Sequence, residues 1–277
     1  MSASIKDWLP SLAQAVETLA QHPAIVSLNQ SLWLFSFIET LHLLSMAALG
    51  GAVLVLNLRL LGAVLPASSP QQVERATRPF LIGGIVGTVA TGLIMTLATT
   101  VSSLPSTAFA VKMLALLSAI VLSLVVSGQS RRQDQRLAVT ARLAALVAAA
   151  FWLAGLFLFA TTRNLGAGSL LVASTGFLLV GALLPHRQRL YLAIAGAILL
   201  IGLGGSFFLP ATAEGDALVV RFSLVTVTAA AAWALFNVWR QAKTAATWPV
   251  SLLQLVAFAS ILSWLTVAAA GRWIGFS

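Results

Sequence analysis

Apolar runs of about 20 residues recur along the whole chain, and the segments outside them hold most of its charges. A helical run of that length crosses roughly 30 Å of hydrocarbon. Hydrocarbon offers no partner to a free backbone N–H or C=O, so such runs are read as membrane-spanning helices. Eight are read, at about 31–62, 80–102, 108–127, 137–162, 165–184, 190–209, 217–239 and 249–273. The expected fold is all-α, a polytopic transmembrane helical bundle embedded in a lipid bilayer. Composition agrees: 59% hydrophobic residues, 8% charged residues and a mean hydropathy of +0.97 leave too little charge to solvate a water-facing surface. The formal net charge of +9 does not indicate nucleic acid, because the basic residues lie between apolar runs and not together on one soluble face. With no Cys, disulfides, thiolate metal sites and covalent haem attachment are excluded.

Alternate connections carry the cations unequally. One set holds Arg59, Arg75, Arg78, Arg131, Arg132, Arg136, Arg187, Arg189, Arg240 and Lys243; the other set and the two tails hold chiefly Lys6, Arg163 and Arg272, with Glu214 and Asp216. The excess belongs on the inner side, so both termini are expected on the outer, periplasmic side. Trp8, Trp33, Trp248 and Trp273 fall near the interfaces, as anchors do. Residues 1–24 read as an amphipathic helix on the membrane surface: Trp8, Leu9, Leu12, Val16, Leu19 and Ala20 recur at helical spacing, Asp7 can cap its start, and Pro10 is tolerable in a first turn. Two four-helix membrane units follow, 29–163 and 165–277. They are not functional repeats, because the polar residues of the first have no counterpart in the second.

The polar residues are concentrated on the first span. At 100° per residue Glu39, His42, Met46, Gly50, Val53 and Asn57 share one stripe about 80° wide, with Arg59 opposite. Intramembrane ionisable groups face protein and mark functional sites by default. Glu39 is the one acid read as lying well inside a span, and it is expected to pair with Lys112 or Arg163 or to orient the His42 imidazole. Lys112 has snorkelling as its alternative, and Arg59 and Arg78 are expected to snorkel on the inner side. On the second span, Gly83 and Gly87 form a small-xxx-small pair, and Gly84, Thr88, Thr91, Met95 and Thr99 form a second small or polar stripe, so close helix contact is expected.

His42 is the one histidine within a span. Counted from the outer helix ends, His42, Met46, Met95 and Met113 spread over roughly 13 Å of depth in the outer half. Imidazole and thioether ligands suit Cu(I). Haem b between His42 and Met95 or Met113 is the second cofactor reading; His42 and Met46 share a helix face and cannot be opposite ligands, and His22 and His186 lie outside the spans. The plain reading is that the methionines fill the core and His42 is an interior hydrogen-bonded residue. Glu39 and His42 match the spacing of a di-iron motif, but the further carboxylates that site needs are missing. No nucleotide or nucleophile fingerprint stands in a suitable context, so the chain is read as no enzyme on its own.

FIETLHLLSMAALGGAVLVLNLRLLG, RPFLIGGIVGTVATGLIM and FAVKMLALL together resemble an uncharacterised bacterial family of integral membrane proteins, a domain of unknown function, over about residues 29–130. Its E-x-x-H, L-R-L-L-G, T-G and F-x-x-K elements fall here on Glu39 with His42, Leu58 to Gly62, Thr91 with Gly92, and Phe109 with Lys112. The F-x-x-K span is also similar to the copper-resistance D type of inner-membrane protein. The resemblance implies a bacterial inner-membrane location and a special role for His42, Glu39, Arg59 and Lys112. Three functions stay open: a membrane redox or metal-handling component binding copper or haem b at His42; a non-catalytic membrane subunit or anchor with a partner in the membrane or periplasm; and a small-solute transporter.

Overall fold

The computed structural model describes residues 4–132, 137–161, 166–183, 188–208, 217–223, 225–226, 229, 236 and 251–274. Every regular element among them is a helix. Five are long and apolar enough to cross a membrane: α4 (Leu32–Leu60), α5 (Pro70–Ala98), α7 (Thr107–Ser130), α8 (Val139–Thr161) and α11 (Leu252–Trp273). Two more helices, α9 (Gly166–Leu183) and α10 (Gln188–Phe208), coincide with the fifth and sixth expected runs. The expected run at 217–239 is described only in part, with 217–223 helical.

The N-terminal segment forms three helices, α1 (Ile5–Trp8), α2 (Pro10–Ala20) and α3 (Pro23–Gln30), where one was expected. Ser4, not Asp7, is the cap of α1; Asp7 completes a capping box by accepting from the Ser4 backbone at 3.1 Å. Pro10 opens α2 at the position where its missing N–H costs nothing. Ala13 is buried against Leu104 and Phe109, and Ile5 and Val16 pack beside it, while Trp8, Leu9, Leu12 and Leu19 stay exposed. Part of the expected apolar stripe therefore docks on protein, and the rest is free to meet lipid.

Helix α4 stops where its own sequence requires. Gly62 takes φ +78°, Ala63 N–H donates to the Leu58 carbonyl at 2.9 Å, and Gly62 N–H donates to the Arg59 carbonyl at 3.1 Å. This is the Schellman stop, which favours glycine because a Cβ is disfavoured at positive φ. Arg59 then folds over the following turn, its Nε donating to the Ser68 carbonyl at 2.6 Å. The L-R-L-L-G element thus encodes a helix end and its clamp, and Arg59 braces the turn where snorkelling was expected.

Helix α5 begins ten residues before the expected span. Ser69 caps it, Pro70 occupies its first turn, and Ser69 and Gln72 form a capping box. At 29 residues, or about 44 Å, it is longer than hydrocarbon alone requires. Its extra turns carry Glu74, Arg75 and Arg78. Short helix α6 (Thr100–Ser103) leads into α7, which Ser106 caps.

Successive helices pair as α4 with α5, α7 with α8 and α9 with α10, while α11 packs against α7 and also meets α4, α8 and α9. The last span is thus built into the first four. Lipid is as apolar as leucine, so small residues and hydrogen bonds must supply the contact between spans. Ala115 and Ala119 of α7 are fully buried with Val267 of α11. Across the same seam Asn57 Nδ2 donates to Ser260 Oγ at 3.2 Å, Ser260 and Ser123 hydroxyls meet at 3.1 Å, and Trp264 Nε1 donates to Ser123 Oγ at 2.8 Å. Trp152 Nε1 donates to Thr266 Oγ1 at 2.9 Å, tying α8 to α11.

Candidate functional site

The α4–α5 seam is built from small residues at alternating three- and four-residue spacing. A Cβ on Gly84 would stand 2.7 Å from Leu49 Cβ and 2.9 Å from Leu49 Cα, a Cβ on Gly87 would overlap Ser45, and a Cβ on Gly92 would lie 3.3 Å from His42 Cε1. Leu49, Ser45 and His42 therefore climb α4 as Gly84, Gly87 and Gly92 climb α5 in the opposite direction. Gly83 has nothing near its Cβ position. Of the Gly83–Gly87 pair only Gly87 meets α4; with Gly84, Thr91 and Gly92 it forms the face turned to that helix.

Gly92 leaves room for the His42 ring, which is only 7% exposed. His42 Nδ1 lies 2.8 Å from Thr91 Oγ1, and the Thr91 hydroxyl lies 2.6 Å from the Gly87 carbonyl. A carbonyl can only accept, so the single hydroxyl hydrogen of Thr91 goes to Gly87. Thr91 must then accept from Nδ1–H. In the neutral ring this leaves Nε2 as a lone-pair acceptor, the arrangement by which an outer partner sets the tautomer of a ligating histidine. The T-G element acquires a physical meaning: threonine sets the tautomer and glycine makes the space.

Lys112 and Glu39 both lie within electrostatic range of the imidazole. The Lys112 side chain runs along Gly271 at 3.7 Å from its Cβ position, beside the last turn of α11, whose carbonyl end favours a cation. Glu39 and Lys112 do not form the expected ion pair. Ion pairs form instead between Lys6 and Glu17 and between Arg131 and Glu74. The reason is geometric: α11 meets α4 in its C-terminal half, at Asn57 and at Leu60, whose carbonyl accepts from Gln254 Nε2. Toward the N-terminal end of α4 Glu39 is exposed. Arg163, the other expected partner, lies outside the described residues.

The methionines disperse. Met113 packs with Ala13, Leu104 and Phe109 under the N-terminal helices. Met46 is half-buried on α4, and Met95 is half-buried one turn beyond Thr91 on α5. Among the described residues no three His, Cys, Asp or Glu side chains gather as a metal site.

A second site escaped the sequence reading. Glu74, taken for a residue of a connection, is 2% exposed; it accepts from Ser127 Oγ at 2.7 Å and lies 3.6 Å from Arg131 Nε. It opens into a cleft of about 700 Å³ lined by Gln71, Arg75, Arg78, Pro79, Ile82 and Arg131. Arg78 is exposed in this cleft. Two signals in the sequence point there: the helix-start pattern at Ser69 and Pro70, and the seven-residue step from Glu74 to Leu81, which puts both on one helix face.

No curated protein and no solved structure matches the chain. A family model does, over the segment that contains the His42 seam, both ends of the α4–α5 turn and the buried Glu74; the family has no assigned function. Residues 31–168 of the chain match the family of unknown function DUF6644.

Proposed function

We propose that the chain is a multi-pass protein of the bacterial inner membrane, with eight spans and both termini outside, serving as a non-catalytic membrane subunit or anchor whose outer half is covered by a partner protein. The observation that carries this reading is Glu39. It is exposed on α4 beside Leu43, one turn on and also exposed, and among the described residues it has no hydrogen bond or ion pair. A carboxylate facing lipid costs at least roughly 2.5 kcal/mol, which is why such groups face protein. The buried polar groups of α4, α7 and α11 hold helices to one another, which suits a scaffold.

Because the chain has no cysteine, single-cysteine labelling tests the orientation: Arg132→Cys is expected to react with an impermeant reagent only from the inner side. A photoreactive residue in place of Glu39 tests the partner: in native membranes it is expected to crosslink the chain to one other protein. Crosslinking to lipid alone would overturn the partner, and outer labelling of position 132 would overturn the orientation.

A second reading is favoured by the His42 tautomer: a redox or metal-handling component in which Nε2 ligates copper or haem b. An absorption spectrum of the reduced protein and a metal assay decide between the two. The subunit reading expects neither pigment nor metal in stoichiometric amount, and expects His42→Ala to cost about 1 kcal/mol of stability through the lost Thr91 bond. A bound cofactor that disappears in His42→Ala would establish the second reading instead.

A further inference from the structure

The cleft beside Glu74 joins three guanidinium groups to an apolar wall. Arg75, Arg78 and Arg131 line it with one carboxylate, Glu74, so its side chains carry three positive charges and one negative, a net of +2. That carboxylate is already engaged by Ser127 and Arg131. Among the described residues Arg75 and Arg78 have no hydrogen-bond or ion-pair partner, and both are exposed. Two such forks in one cleft suit an oxyanion, above all phosphate.

What lies next to them along α5 selects the kind of phosphate. Arg75, Arg78 with Pro79, and Ile82 follow at helical spacing, and the same face continues through Val86 and Leu93, each 62% exposed. Cations stand at one end of the face and unpartnered apolar side chains run away from them, which is the polarity of an amphiphile. A cleft of about 700 Å³ falls within the roughly 300–1,000 Å³ usual for small-molecule sites.

We propose that this cleft binds the phosphate of an anionic phospholipid, with the acyl chain lying along Ile82, Val86 and Leu93. Arg75 and Arg78 donate to the phosphate oxygens. Glu74 positions Arg131 at the opposite wall and lowers the net charge to match a singly or doubly charged headgroup. On the side of the membrane that gathers the arginines, anionic lipid is the available ligand. The binding itself does not depend on the proposed orientation, because the lipid test below is done in detergent, where there are no sides.

The test is native mass spectrometry of the full chain in detergent, titrated with phosphatidylglycerol, phosphatidylcholine or inorganic phosphate. Phosphatidylglycerol is expected to bind at least about tenfold more tightly than phosphatidylcholine, a preference worth one charge-assisted contact. Arg75→Gln with Arg78→Gln should abolish that preference, whereas Arg189→Gln, outside the cleft, should keep it. Equal binding of the two lipids, or a preference that survives in the double variant, overturns the proposal. Displacement of the lipid by millimolar inorganic phosphate assigns the cleft to a soluble anion and overturns it too. The comparison of the two lipids on the unmodified protein decides even where a variant fails to fold.

Discussion

Gly84→Ala is expected to destabilise the protein strongly, and Gly83→Ala, one residue away, to leave it unharmed. At Gly84 the new methyl would stand 2.9 Å from both Leu49 Cα and Leu49 N, which are backbone atoms of α4. No rotamer change relieves a clash with backbone. The two helices must separate, at about 1 to 3 kcal/mol or more. Separation would also loosen the contacts further along the seam, at Ser45 with Gly87 and at His42 with Thr91 and Gly92. Gly83 faces open space, so alanine there brings only its better helix propensity, about 0.5 to 1 kcal/mol in favour of the fold. Thermal unfolding of the two purified variants reads the contrast. Equal tolerance of both substitutions would show that the helices do not cross at Leu49 and Gly84.

Glu74→Ala is expected to cost about 1 to 3 kcal/mol, with Glu74→Gln costing clearly less. The carboxylate is buried and accepts a 2.7 Å bond from Ser127, so its removal leaves that hydroxyl without its acceptor. Arg131 contributes less: its side chain is 48% exposed and its Nε is 3.6 Å away, so solvent screens the attraction. Glutamine keeps an oxygen acceptor for Ser127 and gives up only the charge, which is why it should be the milder change. A double-mutant cycle with Arg131→Gln measures the ionic share. A Gln variant as damaged as the Ala variant would mean that charge pairing, not the hydroxyl bond, holds α5 to α7.

The comparison of Glu39 with Glu74 shows where reading from sequence fails. Depth counted along an apolar run puts Glu39 inside a span and Glu74 in a connection. Burial is the reverse, because it depends on which helices converge at a level. α7 converges on α5 at Glu74 through Ser127 and Arg131, whereas α11 touches α4 in its C-terminal half and leaves Glu39, nearer the other end, exposed. Glycine stripes fail in a related way. Glycines recur so often on α5 that periodicity offers two faces of equal quality, and only the position of Leu49 on the facing helix distinguishes them.

By itself the sequence determined what is local. Hydrocarbon forces long apolar runs into helices, and the described helices stand close to the expected runs. Gly62 stops α4 because a left-handed turn follows it, and Ser69 with Pro70 starts α5 because the first N–H groups of a helix need an acceptor or no hydrogen at all. The stripe from Glu39 to Asn57 was expected to face protein; His42, Val53 and Asn57 are buried, and Glu39 at its end is exposed. Tertiary structure decided the partners. Asn57 meets Ser260 across 203 residues and Trp264 meets Ser123 across 141. No spacing along one helix encodes such pairs, since any span with small residues could have filled that place. The His42 tautomer depends on tertiary structure too, because the hydrogen of Thr91 is directed to Gly87 only once α5 lies against α4 at the closeness its glycines allow.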